Sequence, residues 1–316
     1  MNTPSLFLAG SLLVASSAAL SNTCSFDIVS HRGGVAQYEN SIEGAQSAFR
    51  SGFDVVEVDL MPLSDGRWVV HHDPVLGRVT RHSRGGIRLI SGLTSGDWKQ
   101  VSHKKGTRLY GPAPFLYQLV EQASSKSKPF NFEIKGKPSL RSLKNLDSYL
   151  QKHIGSNFQY SSLNYDVLAT LRELNDSVYL GVIQAPDAKS NKAAVKKKTD
   201  KYASLKSKWG GKAAQYGVDL NALEQKATAK YGQHLVDYAK QLYKVEQLGH
   251  AGIHLDVTTL SNYPDLIKRA HRANLKVYTY DIDNAYGHRT LINNRTSDNK
   301  PDGVITDLNV NEWCSR

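Results

Sequence analysis

Val55-Val56-Glu57-Val58-Asp59-Leu60 is an apolar run of strand length that carries two carboxylates two positions apart. Residues two apart on a strand share a face, so Glu57 and Asp59 point one way while Val56, Val58 and Leu60 point the other. Similar runs flank it: Phe26–Ser30 leads into His31-Arg32-Gly33-Gly34, and Trp68–His72 leads into Asp73. Between the first two, Ser41-Ile42-Glu43-Gly44 opens a helix with Asn40 or Ser41 as cap, and Gly52 ends it. Two histidines and two carboxylates thus fall at the downstream ends of three successive apolar runs. In a parallel barrel or sheet such ends converge on one mouth.

Further runs lie at Phe130–Lys135, Phe158–Ser162, Val178–Gln184, Ile253–Val257, Lys276–Asp281 and Val304–Thr306, with helical stretches between most of them. Strand–helix alternation predicts parallel βα units, and eight of them close an α/β barrel, (β/α)8. Nine candidate strands compete for eight places, so at least one is an extra. The 316 residues suit one large domain.

Two segments break the rhythm. Residues 74–118, after the third strand, are rich in Gly, Arg, Ser and Lys and read as a loop-rich insertion over one face. Residues 186–248 hold 13 Lys against 6 Asp plus Glu and form a lysine-rich helical insertion late in the barrel. Gly210-Gly211 suits a turn between two helices, and Leu220, Leu223, Ala227, Tyr231, Leu235, Tyr238 and Leu242 keep helical spacing. An enlarged outer helix pair with a solvated lysine face is preferred here to a basic lid or surface-docking hairpin.

Residues 1–23 carry no Asp, Glu, Lys or Arg, and Leu6 to Leu20 is almost wholly apolar or small. That reads as a signal peptide, leaving 24–316 as a single exported domain, periplasmic or secreted. Cys24 and Cys314, one at each end of that domain, invite a disulfide that would staple a closed barrel shut. The formal net charge of +11 suits an anionic substrate or peripheral contact with an anionic membrane surface. The lysine-rich stretch lacks the interleaved aromatics of a nucleic-acid platform, so no nucleic acid is expected.

Two bare carboxylates side by side would repel and force one to hold a proton, whereas a divalent cation removes the conflict. All-oxygen ligation favours a hard ion, Mg²⁺ or Ca²⁺. Glu133, two positions before Lys135, would complete a three-carboxylate site, and Lys135 would meet a phosphate oxygen. The bland alternatives are a solvated or salt-bridged pair and an intrastrand ion pair. Histidine suits proton exchange near neutrality. His71 and His72 face opposite ways, so only one can serve the mouth. The eight remaining histidines lack such company and receive no role.

The run His31-Arg32-Gly33, Glu39-Asn40-Ser41, Glu57-Val58-Asp59-Leu60, Ser64-Asp65-Gly66, Val69-Val70-His71-His72-Asp73 and Arg78-Val79-Thr80 resembles the glycerophosphodiester phosphodiesterase family. Glu133-Ile134-Lys135, Ser161-Ser162 and Asp302-Gly303-Val304-Ile305-Thr306-Asp307 extend the likeness. The resemblance implies a phosphodiesterase-type TIM barrel with one divalent cation on Glu57, Asp59 and Glu133. It implies His31 and His72 as the general acid/base pair, choosing His72 over His71, and Arg32 and Lys135 as phosphate contacts. Tyr38 stands where the family usually has Pro, Ser41 where it often has Thr, and Tyr280 where a Trp commonly follows the late strand, a departure that bears on the shape of the alcohol pocket. Residues 186–248 have no clear counterpart.

The expected reaction is metal-dependent hydrolysis of a small-molecule glycerophosphodiester to sn-glycerol 3-phosphate and an alcohol. Lysophospholipase D or sphingomyelinase D-like action on a lysolipid or other choline lipid is the enzymatic alternative. A phosphatidylinositol-specific phospholipase C would not need the three-carboxylate set. A non-catalytic secreted binding protein is the rival from another class, against which the completeness of the site argues.

Overall fold

A computed structural model of the chain describes residues 24–34, 38–125, 127–185, 191–229, 238–280 and 284–314. Its strands are β1 (Asp27–Ser30), β2 (Val55–Pro62), β3 (Trp68–Val70), β4 (Thr80–His82), β5 (Val101–Lys105), β6 (Arg108–Pro112), β7 (Phe130–Ile134), β8 (Phe158–Ser162), β9 (Leu180–Gln184), β10 (Ala251–Asp256), β11 (Lys276–Tyr280) and β12 (Gly303–Thr306). The main sheet runs β1-β12-β11-β10-β9-β8-β7-β2, and β2 returns to β1 to close it. Those eight strands are parallel throughout. This is a (β/α)8 barrel.

The alternation in β2 explains how the site is carried. Val56, Val58 and Leu60 join Phe130, Phe132 and Ile134 of β7 in the apolar layer beneath the outer helices. The opposite face turns Glu57, Asp59 and Glu133 into the barrel. Asp59 and Glu133 are direct register partners on adjacent strands.

The extra strand is the third. β3 pairs antiparallel with the end of β2, Leu60 opposite Val70 and Pro62 opposite Trp68, through the turn at Gly66 (φ +81°). His72 therefore reaches the mouth on a returning hairpin and not at the end of a parallel barrel strand. The His71 N–H donates to the Asp59 carbonyl at 2.9 Å and fixes that return.

The segment 74–118 keeps long loops but builds more than loops. β4, β5 and β6 form a separate antiparallel sheet. A small core of its own holds Leu76, Ile90, Trp98 and Val101, all at most 1% exposed.

The lysine-rich segment divides in two. Helix Tyr238–Glu246 belongs to the outer layer, with Leu242 and Val245 in the main core. Helix Asn191–Ala213 does not lie there: Leu205, Trp209 and Ala213 pack on Val75, Ile87 and Leu89 of the first insertion. This overturns the preferred outer-pair reading for residues 191–229. The turn expected at Gly210-Gly211 is also corrected, since the helix runs through both glycines and the chain reverses at Gly217 (φ +67°). The half-buried Trp209 and the buried Ala213 flank the glycines and pack on the insertion, which offsets the roughly 1 kcal/mol that each helical glycine costs.

Cys24 and Cys314 are disulfide-bonded, with Cα atoms 5.4 Å apart, so the two ends of the described chain are joined beneath the barrel. The expected leader, residues 1–23, lies outside the described residues, as do Tyr231, Leu235 and Asp281. No helix among the described residues is long and apolar enough to cross a membrane.

Candidate active site

β1 ends in a tight turn at His31-Arg32-Gly33, where Arg32 adopts the left-handed conformation (φ +57°). For a non-glycine residue that costs roughly 1–3 kcal/mol. It aims the Arg32 N–H at Glu57 Oε2, 2.8 Å away. Asn40, also left-handed (φ +58°), donates its N–H to the Arg32 carbonyl at 2.7 Å. Ser41 then caps helix Ile42–Arg50 by accepting from the Gly44 N–H at 3.0 Å. A side chain on Gly44 would collide with the Gly33 carbonyl, so the turn and the helix start require glycine there.

Glu57, Asp59 and Glu133 each offer an oxygen within 4.8 Å of the others, with the first two buried. Glu57 Oε1 is buried without a hydrogen-bond partner. Burial, with the charges of Asp59 and Glu133, pushes the Glu57 carboxyl well above the usual range. Asp59 goes the other way: despite burial, Lys135, His72 and Arg32 hold it below the ordinary carboxylate range. Lys135 Nζ sits 2.8 Å from Asp59 Oδ1 and also bonds Glu133. Carboxylates pressed together, one with a spare buried oxygen, fit a hard divalent cation.

The two adjacent histidines part company as expected. His71 is buried, its Nδ1 on the Asp73 carbonyl at 2.7 Å and its Nε2 on Thr80 Oγ1 at 2.8 Å, so both nitrogens are consumed. His72 stays 20% exposed, with Nδ1 2.9 Å from Asp73 Oδ1. Burial and the charges of Lys135 and Arg32 push the His72 ring down to about 3. His31 mirrors it at the end of β1, with Nδ1 3.0 Å from Asp307 Oδ1.

Tyr280 ends β11 at the same mouth, half-buried, and its hydroxyl donates to the Gln184 carbonyl at 2.6 Å. The ring is what it can offer a ligand. The remaining sequence candidates lie at the mouth, Glu57, Asp59, Glu133, Arg32, Lys135 and His31 at the ends of β1, β2 and β7 and His72 on the returning hairpin. The sequence assigns Asn40, Asp73 and Asp307 no role in the chemistry, and Asn40 reads there as a candidate helix cap. The structure shows Asn40 holding Asp59, and each aspartate holding a histidine. Only Asp73 carries a local signal, standing next to His72, whereas Asp307 lies 276 positions from His31 and Asn40 lies 19 from Asp59.

The model of the glycerophosphoryl diester phosphodiesterase family matches residues 31–309. The chain belongs to that family. It is therefore a glycerophosphodiester phosphodiesterase, a phosphoric diester hydrolase. Among solved structures, a protein of the same family name from Agrobacterium tumefaciens superposes with TM-score 0.63 at 17% identity, covering 90% of this chain and 94% of that one. A phosphodiesterase from Oleispira antarctica, in complex with the product sn-glycerol-3-phosphate, gives TM-score 0.59 at 19% identity, covering 90% and 93%. The enzyme from Thermotoga maritima gives 0.57 at 18%, covering 90% and 96%. These likenesses establish the barrel fold of this phosphodiesterase.

Proposed function

We propose that this phosphodiesterase is exported and hydrolyses glycerophosphodiesters to sn-glycerol 3-phosphate and an alcohol, with Mg²⁺ or Ca²⁺ held by Glu57, Asp59 and Glu133. The observation that carries the reading is the convergence of those three carboxylates with Lys135, Arg32 and His72 on one barrel mouth. A bound cation supplies positive charge where negative charge concentrates on the phosphoryl oxygens. Arg32 and Lys135 add fixed cationic donors at the same place. The left-handed turn at Arg32 sets that donor before substrate arrives.

In each catalytic histidine a carboxylate takes Nδ1, so Nε2 is the nitrogen free to exchange a proton. The Asp73 carboxylate at Nδ1 orients the His72 ring and would stabilise the imidazolium formed when Nε2 takes a proton from the attacking hydroxyl. His31 then delivers a proton to the leaving alkoxide. Tyr280 supplies a wall of the alcohol pocket. Export is supported by the apolar, uncharged leader and by the disulfide.

A second reading has one observation in its favour. Leu163, directly after β8, and Leu140, opening the helix after β7, are 42% and 60% exposed near the mouth. Apolar residues there suit a substrate with an acyl tail, as in lysophospholipase D or sphingomyelinase D-like action. The test is product release from glycerophosphocholine, lysophosphatidylcholine and sphingomyelin in parallel. Glycerol 3-phosphate from the first supports the main reading. Choline only from the lipids moves the assignment to the second, and silence on all three leaves a non-catalytic binder.

A further inference from the structure

Asp73 carries more charge than one histidine needs. Its side chain is 2% exposed, and Oδ1 receives both His72 Nδ1 at 2.9 Å and Lys201 Nζ at 2.6 Å. Oδ2 receives Arg78 Nε at 2.5 Å, and Arg78 continues to Glu39. Lys201 comes from helix Asn191–Ala213, 128 residues downstream in the lysine-rich insertion. That helix is seated without it. Leu205, Trp209 and Ala213 pack on the segment that follows Asp73, and Lys206 pairs with Glu224 of the next helix. The Tyr216 ring lies so close to Gly86 that a side chain there would collide with it.

We propose that Lys201 is a positioning residue of the acid/base site, acting through Asp73 on His72, and that the insertion completes this site. The proposal rests on the functional reading above, because it takes His72 as the proton-exchanging group. A carboxylate facing two permanent cations is a poor base, so it leaves the proton on His72 Nδ1 and fixes the ring. Lys201 shares the very oxygen that holds the ring. Removing it leaves Arg78 as the one permanent cation on Asp73 among the described residues, so the carboxylate can rotate about that tie and carry the imidazole it holds away from the reacting oxygen. Displacements of that kind cost rate far more than binding.

The experiment compares K201M, K201R, D73N and the double variant K201M/D73N in the mature chain. Two readouts are used: kcat and KM on glycerophosphocholine, and the hydrogen-bonded Nδ1–H proton of His72 by NMR, assigned through its loss in H72Q. K201M is expected to lower kcat about tenfold with KM unchanged within about twofold. K201R should recover most of the rate, and K201M should add nothing in the D73N background. The His72 Nδ1–H signal should move or broaden in K201M and return in K201R.

Additive losses in the double variant, or a change in KM alone, would overturn the proposal. The first would make Lys201 a structural tie, the second a direct substrate contact. If the wild-type chain does not turn over glycerophosphocholine, the functional reading fails instead. An unmoved Nδ1–H signal in K201M then overturns the positioning role by itself.

Discussion

Asn40 grips Asp59 with both atoms of its carboxamide: Nδ2 donates to Asp59 Oδ2 at 2.8 Å, and Oδ1 accepts the Asp59 N–H at 2.9 Å. One side chain thus fixes both the backbone and the carboxylate of a proposed metal ligand, from a loop held in a left-handed turn. Groups that orient ligands typically control metal affinity by about 10–100-fold. Asn40→Ala is therefore expected to weaken divalent-cation binding by about that factor, with the fold retained. Calorimetric titration with Mg²⁺ and Ca²⁺ checks it, and unchanged affinity would remove Asn40 from the site.

Adjacent histidines should behave oppositely. His72→Ala should cost roughly 10²–10⁴ in kcat with little loss of stability. His71→Ala should keep activity per folded molecule but lose about 2–3 kcal/mol, because two buried hydrogen bonds and a packed ring go with it. Denaturant unfolding and steady-state kinetics on the same preparations separate the two outcomes.

Acid should destabilise the protein through histidines remote from the chemistry. His254, inside the barrel beside Tyr179, and His288, against Thr279 and Trp313, are each 1% exposed. Burial lowers both rings to about 3. Above the unfolded value of about 6.5 the rings are neutral in both states and contribute no pH dependence. Below it the unfolded chain gains protons that the folded chain refuses, so stability falls by about 1.4 kcal/mol per pH unit per histidine until pH nears 3. Urea unfolding from pH 7 to about pH 5 measures the slope, and His288→Gln should remove one proton from it.

The disulfide closes nearly the whole chain, its cysteines being 290 positions apart. Cys24→Ser with Cys314→Ser should lower stability by about 2–5 kcal/mol through the freer unfolded state. The mouth lies at the opposite end of the strands, so activity well below the melting temperature should persist. Thermal unfolding with and without reductant reads the first effect, and assays at low temperature read the second.

What the sequence disclosed follows physical range. Glu57 and Asp59 were legible because a strand's period of two is local, and Gly52 and Ser41 marked a helix within a few residues. The direction of β3 was not, since three residues carry no sign of which neighbour they pair with. β4 to β6 are short and rich in Arg, Lys and His, so their pleat left no clear alternation. Helix Asn191–Ala213 finds its apolar partners in the loop residues Val75, Ile87 and Leu89, which have no period to read. The Lys201–Asp73 contact spans 128 positions and had no local signature.

The central claim is that Glu57, Asp59 and Glu133 hold a cation without which the phosphodiester is not cleaved. Its most direct test is glycerol 3-phosphate release from glycerophosphocholine by the mature chain, after EDTA treatment and again after adding Mg²⁺ or Ca²⁺. The same series is run on Glu57→Gln with Asp59→Asn. Activity lost with EDTA, restored by one of the two ions and absent from the variant is the expected result. Full turnover in EDTA, or turnover by the variant equal to wild type, would contradict the account.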